Sequence, residues 1–266
     1  MKISISISVV IPSLNSGSFL SEALESAINQ VPPPHEVIVQ DGGSTDGTIE
    51  ILNRTGPPVA WRSEPDNGQS DALNRAIARA TGDVLVWVNA DDRLLPGSFA
   101  AAVGAFEEHP QADFVYGDFE MVRSDGAIIR RFRSSAYDPA RVFTHGCYIF
   151  SGAMFYRREF MNRIGPYDES LHACMDLDYL LRLGNARAVH LNQAVAQFRW
   201  SEGAKSSRMR RHFLRESHRL RWRAAHGSIK MRALTLALDA RDAITLWTQP
   251  LRFTSAWSAI RGNRTL

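Results

Sequence analysis

The segment Val84-Leu85-Val86-Trp87-Val88-Asn89-Ala90-Asp91-Asp92 constrains this chain more than any other. Its first five residues are apolar without alternation, the pattern of a strand covered on both faces. The run then breaks abruptly into an amide and two acids. A doubly covered strand belongs to an α/β sheet with helices on both sides. In such sheets, ligands bind outside the carboxyl ends of the strands.

The segments before it repeat the same grammar. Ile3 to Ile11 reads as an apolar strand that stops at Pro12, followed by a helix from Phe19 to Gln30 with Leu20, Ala23, Leu24, Ala27 and Ile28 on one face. Ser18 or Ser21 is its candidate cap. Glu36 to Gln40 is a second strand, Asp41 to Gly47 a turn, and Thr48 to Arg54 a short helix capped by Thr45 or Asp46. Ala60 to Ser63 is a third strand, and Ser70 to Ala80 a helix with Ser70 as cap. The order β-α-β-α-β-α-β predicts a mostly parallel sheet. Polar loops beginning at Pro12, Asp41, Glu64 and Asn89 would then share one edge. Beyond Ser98 the pattern is less regular: a helix to Glu108, strands over Asp113 to Gly117 and Phe119 to Val122, a hairpin turn at Ser124-Asp125-Gly126, strands at Phe150 to Tyr156 and Val189 to Arg199, and a helix from Asp176 to Leu183.

Two cysteines, Cys147 and Cys174, cannot make a disulfide framework, and they fit a reducing compartment. The alternating N-terminus does not read as a signal peptide, and no apolar stretch is long enough to span a membrane. The expected location is cytoplasmic, with the inner face of the cell membrane as a peripheral site. The net charge of +3 conceals an asymmetry: residues 201–266 carry 14 Lys/Arg against 4 Asp/Glu. Arg208, Arg211, Arg215 and Arg219 recur at helical spacing, joined by Arg210, Arg221 and Arg223, with Phe213, Trp222, Trp247, Phe253 and Trp257 interleaved. A basic face beside aromatics suits an anionic membrane surface. A helix pair packed on the domain, or on a second copy in a homodimer, explains it equally. No recognised nucleic-acid module accompanies the charge.

Acids that end a buried strand offer oxygen ligands to Mg²⁺ or Mn²⁺, which take one or two carboxylates plus substrate phosphates. The alternative makes Asp91 and Asp92 turn residues leading to Pro96. Other segments support the first reading. Ser8-Val9-Val10-Ile11-Pro12-Ser13-Leu14-Asn15, Asp41-Gly42-Gly43-Ser44-Thr45-Asp46-Gly47-Thr48, Ser63 to Asn74, Asn89-Ala90-Asp91-Asp92 and Met175 to Leu183 occur in one order. Together they resemble family 2 glycosyltransferases, inverting nucleotide-sugar transferases of the GT-A fold.

The resemblance implies a role for each matching residue. Pro12 and Asn15 would open the nucleotide pocket, with Asp71 and Asn74 lining it. Asp41 would accept a hydrogen bond from a uracil imide, although an aspartate there can equally bond its own turn. Asp91 would hold the divalent metal, Mn²⁺ or Mg²⁺, on the diphosphate, with Asn89 standing where the family has the first acid. Asp176 would be the general base that takes the acceptor hydroxyl's proton. Met175 replaces the acid that precedes it in the family. Asp178 lies on another helix face and is free to pair with Arg182. Arg199 and Lys205 would neutralise diphosphate, with Ser201 where family members often carry histidine.

The expected organisation is a catalytic domain over residues 1–206, with a nucleotide-binding half (1–97) and an acceptor half (98–206). A basic helical extension follows over 207–266. The expected reaction moves a sugar from a nucleotide diphosphate donor, with UDP favoured, to a hydroxyl of a saccharide or lipid-linked acceptor in polysaccharide or glycolipid synthesis. The alternatives are a scaffold that has lost its chemistry and a nucleotide-sugar pyrophosphorylase, whose glycine-rich phosphate loop Ser13-Leu14-Asn15-Ser16-Gly17 does not supply.

Overall fold

A computed structural model describes residues 5–200 and 210–248. Its first half alternates as the sequence predicts: β1 (Ile7–Ser13), α1 (Leu20–Ile28), β2 (Glu36–Asp41), α2 (Thr48–Asn53), β3 (Val59–Ser63), α3 (Gln69–Arg79) and β4 (Val84–Trp87). These four strands are mutually parallel in the order β3-β2-β1-β4. All residues of β4 are buried, as the unbroken apolar run requires. The chain leaves β1 toward β2 and returns past it to β4, so the strand order reverses at the β1–β4 junction. That is where an open α/β sheet leaves a crevice.

The remaining elements are β5 (Arg93–Leu94), α4 (Ser98–Glu108), β6 (Phe114–Val122), β7 (Ile128–Phe132), α5 (Pro139–His145), β8 (Met154–Arg157), α6 (Arg158–Ile164), α7 (Met175–Arg182) and β9 (Ala188–Arg199). They extend the sheet as β4-β8-β6-β9-β5, with β7 pairing to β6. The α/β sheet flanked by helices is present, parallel through its first four strands and mixed beyond them, because β8 runs antiparallel to both β4 and β6.

Three local readings change. The two strands read on either side of Gly117 are one strand, β6, whose register against β9 slips at Asp118. A Cβ on Gly117 would stand 2.6 Å from Val195 Cγ2, so glycine there permits close approach of β9 rather than ending the strand. The strand expected from Phe150 begins at Met154, after a 3₁₀ turn over Ser151–Ala153. The serines offered as caps do not serve: the Ser16 carbonyl takes the first amides of α1, and Gly68 precedes α3. Asp46 does bond the Thr48 amide at the start of α2, at 3.1 Å.

Two further helices, α8 (Arg210–Ala224) and α9 (Ile229–Thr248), follow. Phe213 and Leu220 of α8 belong to the same core cluster as Ile7, Val86 and Phe155, so the core continues across residue 206. Of the arginines at helical spacing, Arg219 is exposed, and the two that add charge beyond it are engaged. Arg221 is buried, bonding Asp242 Oδ2 at 2.8 Å and the Phe143 carbonyl at 3.2 Å. Arg219 bonds Ser170 Oγ at 3.0 Å, and Arg223 pairs with Asp178. Arg219 and Arg223 thus meet side chains of the body, whereas Arg221 pairs with an acid of the extension itself. Arg215 remains exposed. Lys205, Ser201, Arg208, Phe253 and Trp257, and the side chains of Arg210, Arg211 and Trp247, lie outside what is described. No helix among the described residues is long and apolar enough to cross a membrane.

Candidate active site

A cavity of about 660 Å³ opens at the β1–β4 junction. That volume is typical of a small-ligand site. Its walls come from the loops after β1 (Pro12 to Ser16), β3 (Asp66 to Gln69) and β4 (Asn89 to Asp91), closed by Ser151 and by Met175 and Asp176 of α7. Of the sequence candidates, Pro12, Asn15, Asn89, Asp91, Asp176 and Arg199 therefore share one cavity, whereas Asp41 and Asp71 are not on its wall.

Asp41 is fully buried. Its Oδ2 accepts from the amides of Gly43 (3.0 Å) and Ser44 (2.8 Å) and from Ser63 Oγ (2.7 Å), while Oδ1 accepts from Ser44 Oγ. Asp41 thus bonds its own turn, one of the two roles that the sequence allowed. The loop it organises braces the β1 loop: Ser44 Oγ accepts the Asn15 amide at 2.7 Å, and Asn15 Oδ1 accepts the Thr45 amide at 2.9 Å. Asn15 sits at φ 50°, a left-handed conformation that asparagine tolerates. Asp71 likewise serves its own helix, accepting the Asn67 amide at 2.9 Å and a two-point bond from Arg75. Gly68, at φ 114°, makes the sharp entry into α3 that no side-chain-bearing residue adopts readily.

The acidic loop after β4 divides its labour. Asp92 is buried, with Oδ1 accepting the Arg199 amide at 2.8 Å and Oδ2 accepting from Asn89 Nδ2 at 2.7 Å. Burial, and then the neighbouring Asp91, push its carboxyl well above the usual range. Asn89 is also held from its other end, by Gln69 Nε2 at 2.9 Å. Asp91 is exposed and lines the cavity; desolvation by the surrounding protein raises its carboxyl against the pull of Arg199.

The Arg199 guanidinium donates to the Asp91 carbonyl (2.9 Å), the Ser124 carbonyl (2.7 Å) and Glu22 Oε2 (2.6 Å), and lies 4.3 Å over the Phe19 ring. These bonds fix the acidic loop and occupy donors of the head group, which also lines the cavity.

Among the described residues no group of three or more His, Cys, Asp or Glu side chains could hold an ion by itself. Asp91 alone presents a cavity-facing carboxylate from the loop. One protein carboxylate completed by substrate phosphate oxygens and water is a normal Mg²⁺ arrangement, so the residues fit a metal that arrives with its diphosphate.

Asp176, half-buried in the first turn of α7, also lines the cavity, and Ser151 Oγ donates to its Oδ2 at 3.5 Å. Asp178 faces away, buried, bonding Arg182 Nε at 2.8 Å as the four-residue spacing predicts. Sequence reasoning missed Gln69, Ser151 and the aromatic lining of Phe19, Trp87, Phe150 and Phe198. Gln69 stood within the recognised segment and could have been found. Ser151 carried no signal, because only the tertiary path of the 3₁₀ turn brings it to Asp176.

Comparison with known proteins agrees with this geometry. Residues 8–165 match the family model described as glycosyl transferase family 2. A PGL/p-HBAD biosynthesis glycosyltransferase of Mycobacterium tuberculosis is 33% identical over 217 residues, covering 78% of this chain and 82% of its own. YwdF of Bacillus subtilis, an uncharacterised glycosyltransferase, is 32% identical over 185 residues, 66% of this chain and 67% of its own. Among solved structures, S. aureus TarS 1-349 in complex with UDP-GlcNAc superposes with a TM-score of 0.66 at 21% identity, over 92% of this chain and 73% of that one. The mannosyltransferase PcManGT of Pyrobaculum calidifontis, with GDP-Man and Mn²⁺, gives 0.64 at 19% identity, over 98% of this chain and 75% of that one. These likenesses establish the GT-A fold.

Proposed function

Since the chain belongs to glycosyl transferase family 2, we propose that it transfers a sugar, with inversion, from a nucleotide diphosphate donor to an acceptor hydroxyl in glycolipid or polysaccharide synthesis. The observation that carries this reading is that Asp91 and Asp176 line one cavity at the strand-reversal point. In the proposed reaction the donor's nucleoside lies along the Pro12 to Asn15 loop and its diphosphate faces Asp91. A Mn²⁺ or Mg²⁺ ion held by Asp91 would supply positive charge to the departing diphosphate. Asp176 takes the proton from the acceptor hydroxyl as its oxygen bonds to the anomeric carbon. The bond from that carbon to the diphosphate oxygen breaks on the opposite face, which inverts the centre.

UDP is the proposed nucleotide. TarS was solved with UDP-GlcNAc and PcManGT with GDP-Man, so the fold accommodates either base. The glycolipid acceptor class is supported by the names of the mycobacterial relatives. Lys205, outside the described residues, is kept as a proposed diphosphate contact. Peripheral attachment to an anionic membrane is proposed through α9, where Ile229, Leu236 and Ile244 are exposed and Lys230 lies beside them. The test is a calorimetric panel of UDP-, dTDP- and GDP-sugars with and without Mn²⁺, followed by product analysis of the anomeric configuration. Binding of none of them would overturn the reading, and retention of configuration would overturn the single-base mechanism.

A further inference from the structure

The loop His172-Ala173-Cys174 leads into α7, and its first two residues line the cavity next to Met175 and Asp176. Its three successive backbone amides all point at one carboxylate. Glu216 of α8 accepts from His172 N (3.0 Å, Oε1), Ala173 N (2.9 Å, Oε2) and Cys174 N (2.9 Å, Oε2). Glu216 is buried, and Cys174, at the head of α7, also approaches the Phe213 carbonyl of the same helix at 3.6 Å. Amides at a helix entrance have no intrahelical acceptor, and Cys174 provides no side-chain cap to α7. An acid from a helix 40 residues downstream thus does the work that a local Ser, Thr or Asp does elsewhere.

We infer that Glu216 is a positioning residue for the reaction: it fixes the 172–174 wall and, through it, the direction in which Asp176 faces the acceptor. This rests on Asp176 being the base. The carboxylate is required because three donors converge on it, and an amide would present N–H against N–H at one of its two ends. Shifting a base by about 1 Å can cost roughly a hundredfold in rate, whereas the proposed donor contacts on the β1 and β4 loops take no part in these three hydrogen bonds.

The experiment compares Glu216→Gln, Glu216→Asp, Asp242→Asn and Asp176→Asn in the full chain. Asp242→Asn breaks the buried Arg221 pair within the same extension but touches none of the three amides. Readouts are hydrogen exchange at residues 172–176, UDP affinity with Mn²⁺, thermal midpoint, and kcat and KM for the nucleotide sugar consumed in the donor panel. Glu216→Gln is expected to speed exchange across 172–174 and lower kcat by roughly tenfold or more while UDP affinity stays within about twofold. Glu216→Asp, which keeps the charge, should recover part of the rate. Asp242→Asn should lower the midpoint without changing kcat of the folded enzyme. Unchanged kcat in Glu216→Gln, or equal loss in Asp242→Asn, overturns the inference. If Asp176→Asn itself retains turnover, the base assignment fails first. If it loses turnover while Glu216→Gln does not, only the inference about Glu216 fails. Should Glu216→Gln not fold, Glu216→Asp carries the same comparison.

Discussion

Asp92 accepts the backbone N–H of Arg199 at 2.8 Å, across 107 residues of sequence. That bond ties the residue before β5 to the end of β9, and the Arg199 side chain returns the contact by donating to the Asp91 carbonyl. Two adjacent acids therefore have opposite duties. Asp92 is a buried strut, and Asp91 is the carboxylate left for a ligand.

Asp91 should govern metal-dependent nucleotide binding. Asp91→Ala is expected to remove the increment in UDP affinity that a chelator removes from the wild type. Desolvation raises the Asp91 carboxyl above its ordinary 3.8. Protonation therefore sets in at a higher pH than for a free aspartate, and it deletes the ligand charge. Mn²⁺-dependent affinity should fall as pH drops toward that raised value, and the Asp91→Ala variant should lack this slope. Calorimetry across pH, with and without chelator, reads both. Equal affinity in both conditions would remove Asp91 from metal binding.

Asp176→Asn should keep UDP affinity within about twofold and lower turnover by roughly two to four orders of magnitude, the range for losing a general base. The isosteric amide preserves contact with Ser151 but cannot take a proton. Near-normal turnover at saturating acceptor would move the base elsewhere. Asp178 is a poor substitute, because it is buried and committed to Arg182 and Arg223.

Asp41→Ala separates its two roles. Four hydrogen bonds to a buried carboxylate are lost, and hydrogen bonds to charged groups contribute about 1.5–3 kcal/mol each before relaxation. A drop in unfolding free energy of about 2–4 kcal/mol is expected, measured by denaturant titration, with affinity lost for UDP and GDP alike as the β1 loop loosens. Loss of UDP affinity alone, at unchanged stability, would instead make Asp41 the reader of the base.

The first half of the fold was readable because local chemistry decides it. An apolar run as pure as Val84–Val88 has one stable placement, and parallel strands bring their following loops to one edge. The Asp178–Arg182 pair followed from helical spacing for the same reason. What escaped was decided by contacts distant in sequence. The bonds of Arg199 to Glu22, Ser124 and Asp91 show only once the fold brings those residues around it. Gly117 looks like a strand end until β9 lies against it. The extension did carry an overlooked signal. Its few acids include Glu216, Asp239 and Asp242, each of which bonds a partner inside the fold. Asp239 and Asp242 join the two helices of the extension, and Glu216 marks where it docks on the body.

The α9 surface gives the last prediction. Among the described residues, Arg219 and Arg223 are engaged by the body and Arg221 by Asp242 and the Phe143 carbonyl, and each basic residue left available contributes only about 1 kcal/mol near an anionic surface. Attachment through α9 must draw on Ile229, Leu236 and Ile244, whose insertion is worth about 25 cal/mol per Å² of apolar area buried. Salt should therefore weaken binding only modestly, although the screening length falls from about 10 Å at 0.1 M to about 3 Å at 1 M. Co-sedimentation with anionic and neutral vesicles at both salt levels measures this. Leu236→Ser with Ile244→Ser should abolish sedimentation and leave the thermal midpoint intact, because both side chains are exposed. Arg215→Ala should change it little. Binding that survives the double substitution but disappears at 1 M salt would return the contact to the arginines.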